Sequence, residues 1–190
     1  MTVQSAFAIE IPEALLERAR RGEVAAFERL YRCFEKPVYT LALRMSGDPD
    51  EAQDILQNTM LKLIDRFDEF RGDSPFWGWL RRIAVNETLM RLRHRQRLAE
   101  SALPEVELPD PGTRLPPAAA DAGALARALQ RLPDVTRSVL WLYHGEGYTH
   151  PEIAELMGRT VSFSKSQLAR GLVRLRAELG VSLPEETQHA

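Results

Sequence analysis

The chain has 190 residues, 44% of them hydrophobic and 27% charged, with a net charge of −2 and one cysteine. That is room for one medium domain or two small ones, in an ordinary globular composition. The lone cysteine excludes an internal disulfide framework, no apolar run is long enough to span a bilayer, and no secretory leader opens the chain, so a soluble cytoplasmic protein is expected.

Helical periodicity dominates and strand signals are weak throughout. The stretch "ALLERARRGEVAAFERLYRCFEKPVYTLALRMSG" carries apolar residues at helical spacing, punctuated by Gly22 and Gly47. Cys33 within it is expected to be a buried core thiol. The next segment, "DPDEAQDILQNTMLKLIDRFDEF", opens with Asp48, Pro49, Asp50 and Glu51, acids that suit the positive end of a helix dipole. Ile55, Met60, Leu61, Ile64 and Phe67 are expected to form its core-facing stripe.

After a loop at "RGDSP" a long helix is expected from about Phe76 to Arg97. Phe70, Phe76, Trp77 and Trp79 crowd its beginning, and six arginines stand against one glutamate between Arg81 and Arg97. At 100° per residue, Arg82, Asn86, Met90, Arg93 and Arg97 fall on one face, and phosphate is the natural partner of such a stripe. The helix before it is acidic and amide-rich, so the two surfaces call for different partners.

Composition changes at residue 98: "LAESALPEVELPDPGTRLPPAAAD" holds five prolines and no apolar period. Residues 98–121 are therefore expected to be an acidic, extended, flexible linker. The expected fold is all-α, with two small helical domains over 8–97 and 122–181.

The second domain contains "GYTHPEIAELMGRTVSFSKSQLARGLVRLRAEL". Thr149 and Glu152 have capping-box spacing, a short helix should end at Gly158, and Thr160 can cap the next one. Ile153, Leu156 and Val161 are expected to pack inward. On the second helix Ser164, Leu168, Leu172 and Leu175 share the inner face, while Phe163, Ser166, Gln167, Arg170 and Arg174 share the outer one. Such a helix pair suits a helix-turn-helix whose second helix lies in a major groove, with Arg on guanine or phosphate and Gln on adenine. A solvated basic face remains the plain alternative.

Together these segments resemble regions 2 and 4 of an extracytoplasmic-function sigma factor. The carriers are "FRGDSPFWGWLRRIAVN" after an "EAQDILQN" helix, and "RLPDVTRSVLWL" ahead of the helix pair. The resemblance implies an alternative sigma factor that binds core RNA polymerase, recognises minus-ten and minus-thirty-five elements and promotes DNA opening. By it, Ala52, Asp54, Gln57, Asn58 and Leu61 dock on the polymerase clamp helices, and the second domain meets the flap. Phe70, Trp79 and Asn86 match the minus-ten segment, while Lys165, Ser166, Gln167 and Arg170 match the minus-thirty-five helix. Phe163 and Met90 depart from the family pattern, which has a small Thr and an Asp or Asn there.

A base turned out of its stack needs a flat apolar wall and an amide to read its edge. Phe70 and Trp77 are expected as the exposed stacking pair, Asn86 as the reader, and Phe76 and Trp79 as packing. Arg82, Arg93 and Arg97 complete the minus-ten set, and Phe163 and Arg174 the minus-thirty-five set.

The resemblance also implies an anti-sigma partner. No cofactor is expected, since no Gly-rich phosphate loop occurs. His144 and His150 lack metal-ligand spacing, and no nucleophile elbow suggests an enzyme. The competing reading is a helix-turn-helix regulator that works without core polymerase.

Overall fold

The structure, a computed structural model, describes residues 9–101 and 117–180. Eight α-helices and no strand occur among them. The first four are α1 (Glu13–Arg20), α2 (Val24–Ser46), α3 (Pro49–Asp65) and α4 (Phe76–Ser101). The remaining four are α5 (Pro117–Gln130), α6 (Asp134–Leu140), α7 (His150–Met157) and α8 (Val161–Leu179). None is long and apolar enough to cross a membrane.

Helix α2 is the spine of the first half. Pro37 lies inside it and cannot donate the N–H that would continue the ladder. The helix holds because Phe34, Val38 and Leu41, on either side of that break, are fully buried. It stops at Gly47, whose φ of 73° only glycine adopts cheaply and whose N–H bonds the Leu43 carbonyl at 2.8 Å. Cys33 lies on its exposed side, contrary to the core position expected. The apolar phase of α2 runs through Leu30 and Phe34, and Cys33 sits outside it.

Helix α3 starts as its sequence suggests: Asp48 caps it, accepting from the N–H groups of Asp50 and Glu51 at 2.8 and 3.0 Å. Its inner face is Ala52, Ile55, Leu56, Thr59, Met60 and Leu63. Leu61 and Ile64, expected in the core, are 58% and 53% exposed. The apolar residues of α3 exceed one face, and only the phase set by Ala52 and Ile55 against α2 is covered.

The second half packs α5 and α6 on α8, with Ala128, Leu132, Leu140 and Leu175 buried between them. A wide, π-type turn at Trp141–Gly145 leads to α7. Both partners of the Thr149–Glu152 capping box are in place, Gly158 ends α7 in the left-handed region, and Thr160 caps α8. Ile153 is buried as expected, but Val161, in the first turn of α8, is 39% exposed.

Helix α5 starts at Pro117, ahead of the domain boundary expected, and α4 continues to Ser101. The rest of the expected linker, including Glu105, Glu107 and Asp110, lies outside the described residues.

The two halves share one core. Val139, Leu142, Tyr148 and Ile153 belong to the same buried cluster as Leu30, Phe34 and Leu80. Arg137 of α6 is the polar joint, donating to the Met45 carbonyl at 3.0 Å, to the Ser46 carbonyl, and to Asp134 at 2.8 Å. A Cβ at Gly47 would come within 2.8 Å of its Cζ. Glycine there serves both the helix end and the arginine beside it.

Candidate nucleic-acid interface

The aromatic cluster is built from the loop and first turn of α4 closing over α2. Phe34 stacks on Trp77 with centroids 5.7 Å apart and planes 4° from parallel. Phe76 lies 5.3 Å from Phe34, and Phe70 meets Phe76 edge-on at 5.1 Å. Phe70, Phe76 and Trp77 are all buried. Phe70, expected as an exposed stacking ring, is therefore core, and the exposures expected of the two tryptophans are exchanged. Trp77 is core, and Trp79 is the half-buried ring, resting on Phe70 and Phe76 at 5.5 and 5.7 Å. Helical phase explains the exchange. Trp77 leads into the buried row of Leu80 and Ala84, whereas Trp79 heads the outward row.

That outward row now reads Trp79, Arg82, Asn86, Met90, Arg93 and Arg97, spaced i, i+3, i+7, i+11, i+14, i+18, all exposed beyond Trp79. Beside it, on the flank towards α3, Glu87 is buried and paired with Lys62.

The six arginines of this helix do not share one environment. Arg91 pairs with Asp54 at 2.9 Å, and Arg95 with Glu51 at 3.0 Å and Asp134 at 2.5 Å. Arg81 turns into the joint between the halves, donating to the Glu146 carbonyl at 2.7 Å and lying 4.6 Å over the Tyr148 ring. Arg93 donates to the Leu156 carbonyl at 2.9 Å, and Arg97 to the Arg93 carbonyl at 3.3 Å. Exposed, and with no carboxylate partner among the described residues, Arg82, Arg93 and Arg97 carry the positive stripe.

On α3, Asp54, Gln57, Asn58 and Leu61 are exposed, with Ile64 extending the patch. Ala52 is fully buried between α2 and α3 and presents no surface to a partner. Its small size is what lets the helices approach.

On α8, Lys165, Ser166, Arg170 and Arg174 are exposed, and Phe163 and Gln167 half-buried. The Arg159 guanidinium lies 5.6 Å over the Phe163 ring, so this ring is partly covered. Beneath the face, Ser164 is buried against His150 Nδ1 at 3.0 Å. Burial, with Lys165 nearby, holds the His150 imidazole below its usual range.

The face does not look straight into solvent. It forms one wall of a cleft of about 910 Å³, with Phe163, Gln167 and Arg170 facing Leu89, Arg93 and Arg95 of α4. No cluster of three or more potential metal ligands occurs among the described residues.

Two polar residues of the joint escaped the sequence reading, Thr136 and Arg137. Both lie in the same turn of "PDVTRSVLWL" as Val139 and Leu140, inside a helix whose every residue from Thr136 to Leu140 is buried. Polar side chains in so apolar a run were the available signal.

Residues 30–98 match the family model of Sigma-70 region 2, and residues 122–175 that of Sigma-70 region 4. The chain is 30% identical to the RNA polymerase sigma-H factor of Pseudomonas aeruginosa, across 85% of this chain and 90% of that one. It is 32% identical to the ECF RNA polymerase sigma factor SigM of Mycobacterium tuberculosis, across 84% and 80%. The SigE factor of Mycolicibacterium smegmatis is also 32% identical, across 90% and 68%. Two solved structures share the fold. The sigma factor RpoE of Bartonella quintana, solved with the anti-sigma factor NepR, has a TM-score of 0.58 at 24% identity, covering 84% of this chain and all of that one. CnrH, solved with the cytosolic domain of CnrY, has a TM-score of 0.53 at 23% identity, over 90% and 97%.

Proposed function

The chain belongs to the extracytoplasmic-function RNA polymerase sigma factors, and we propose from this which of its surfaces meets which partner. It is an alternative sigma factor, serving transcription initiation with core polymerase and promoter DNA. That family membership sets aside a regulator working without polymerase.

One observation supports the assignment of surfaces: adjacent helices expose opposite chemistry. Helix α3 shows Asp54, Gln57, Asn58, Leu61 and Ile64, an acidic and amide face with an apolar centre suited to a protein partner. Helix α4 shows a tryptophan, an asparagine and arginines in one row, suited to separated DNA. We assign α3 to the clamp helices of core polymerase and the α4 row to the minus-ten element. Opening a duplex costs roughly 1–2 kcal/mol per stacking step. Stacking one flipped base on Trp79 returns about 1–3 kcal/mol, and Asn86, two turns along the same row, is placed to read its edge. Arg82, Arg93 and Arg97 then hold phosphates. Phe70 and Phe76 act from behind, as the packed bed on which Trp79 rests, and Trp77 lies in the core, stacked on Phe34.

We assign residues 122–181 to the flap and the minus-thirty-five element, with Lys165, Ser166, Gln167, Arg170 and Arg174 along the groove and Phe163 at its edge. The α8 face lines the cleft it shares with α4, so engaging both promoter elements, roughly 50 Å apart, requires the halves to part. An anti-sigma factor is proposed as a further partner, by analogy with RpoE of Bartonella quintana. The protein works without chemistry of its own, beside polymerase in the cytoplasm.

Leu61→Asp and Asn86→Ala in the full chain separate these roles. Leu61→Asp is expected to weaken binding to core polymerase tenfold or more, consistent with burying a charge in an apolar contact, about 1.4 kcal/mol per decade. Asn86→Ala is expected to bind core normally but to lose permanganate-reactive thymines at the minus-ten element. If Leu61→Asp binds core as the parent does, or Asn86→Ala opens promoters as well, the assigned surface is wrong.

A further inference from the structure

We propose that Thr136 is a positioning residue for promoter reading, its hydroxyl pinning the Gln167 amide so that Gln167 offers DNA a hydrogen-bond donor alone. The inference rests on the assignment of α8 to the minus-thirty-five element and goes beyond it to the base preferred.

The local geometry begins at Gly171. A Cβ there would come within 2.5 Å of Leu140 Cδ1 and 2.9 Å of Thr136 Cγ2. Glycine therefore lets α8 lie directly on α6, with the Thr136 methyl beneath residue 171. Gln167 is one turn earlier on α8, and at this separation the Thr136 hydroxyl reaches it, donating to Gln167 Oε1 at 2.7 Å. Thr136 is 5% exposed. Burying a hydroxyl without a partner is costly, so in this site the hydroxyl has a use that an equally shaped valine lacks.

The bond fixes which end of the amide faces outward. A free glutamine pairs with adenine by using both ends, accepting from N6 and donating to N7. Gln167 has its carbonyl turned to α6, whereas among the described residues its Nε2 hydrogens have no acceptor. What remains for the groove is a donor, which matches O6 of guanine or O4 of thymine and meets a second donor at N6 of adenine; N7, common to both purines, does not discriminate. The specificity of a residue on the DNA face is thus set by a residue on a different helix that never touches DNA.

The test uses the full chain in holoenzyme with core polymerase, bound in competition to promoters carrying each base at every minus-thirty-five position. Thr136→Val keeps the shape and removes the hydroxyl, Thr136→Ser keeps the hydroxyl, and Gln167→Ala locates the position read. At that position the parent and Thr136→Ser are expected to favour guanine or thymine. Thr136→Val is expected to gain for adenine relative to guanine by about fivefold or more, the lower end of one bidentate base contact. If Gln167→Ala changes preference and Thr136→Val does not, or Thr136→Ser shifts as valine does, Thr136 is structural only and the proposal fails while the assignment of α8 stands. If Gln167→Ala changes no preference, Gln167 does not read the element and the proposal falls, whereas a parent without base preference at any minus-thirty-five position would overturn the assignment of α8 itself.

Discussion

Glu146 shows what one side chain contributes to the joint. It is 3% exposed, with Arg81 Nη1 at 3.5 Å from one carboxylate oxygen and Trp141 Nε1 donating to the other at 3.2 Å. Burial pushes its carboxyl above the usual 4.5, and the attractions of Arg81 and Trp141 only partly oppose this. A group whose pKa is raised by folding contributes stability below its unfolded value and loses it as pH rises through the folded one. Glu146→Gln removes that titration. The melting temperature of the variant minus that of the parent is therefore expected to increase from about pH 4.5 towards neutrality. A difference that stays flat or falls over this range contradicts burial as the dominant influence on Glu146.

Helix starts and stops were legible in the sequence because each is a local contract between neighbours. Asp48 caps α3, Thr149 and Glu152 box the start of α7, and Gly47 and Gly158 end their helices as expected. The outward rows of α4 and α8 were legible for the same reason, since 3.6-residue periodicity needs no tertiary information. What periodicity lacks is the choice between two apolar faces, which a neighbouring element makes. Leu61 and Ile64 were lost to that choice on α3, and Trp77 and Trp79 on α4. The exchange of tryptophans has a measurable consequence. Trp77→Ala removes a ring stacked on Phe34 in the centre of the core and is expected to cost about 3–5 kcal/mol in urea unfolding. Trp79→Ala is expected to cost roughly 1–2 kcal/mol, the worth of its ring contacts, and to impair promoter opening far more than folding. The opposite order of stabilities contradicts the packing described.

Taken whole, the molecule is two helical units held together by a shared core, the buried Arg137 and the half-buried Arg81, and no local pattern announced that. Arg137 in "DVTRSVL" carries no local sign of the end of α2, which lies beside it in the fold and some ninety residues away in the chain. The same holds for α4, where sequence alone counted six arginines, but Arg81, Arg91 and Arg95 are committed to carboxylates and carbonyls. Arg137→Met leaves the carbonyls of Met45 and Ser46 without this buried donor and is expected to cost roughly 2–4 kcal/mol. It should also raise the radius of gyration in solution scattering, because the joint between α2 and α6 loosens. Unchanged stability and size contradict Arg137 as the polar joint. The function itself is decided by promoter-directed transcription with purified core polymerase. With the chain present, initiation is expected from defined start sites on promoters selected by the holoenzyme, and none from core alone. Failure of the chain to bind core, or transcripts that start at the same sites without it, contradicts its action as a sigma factor.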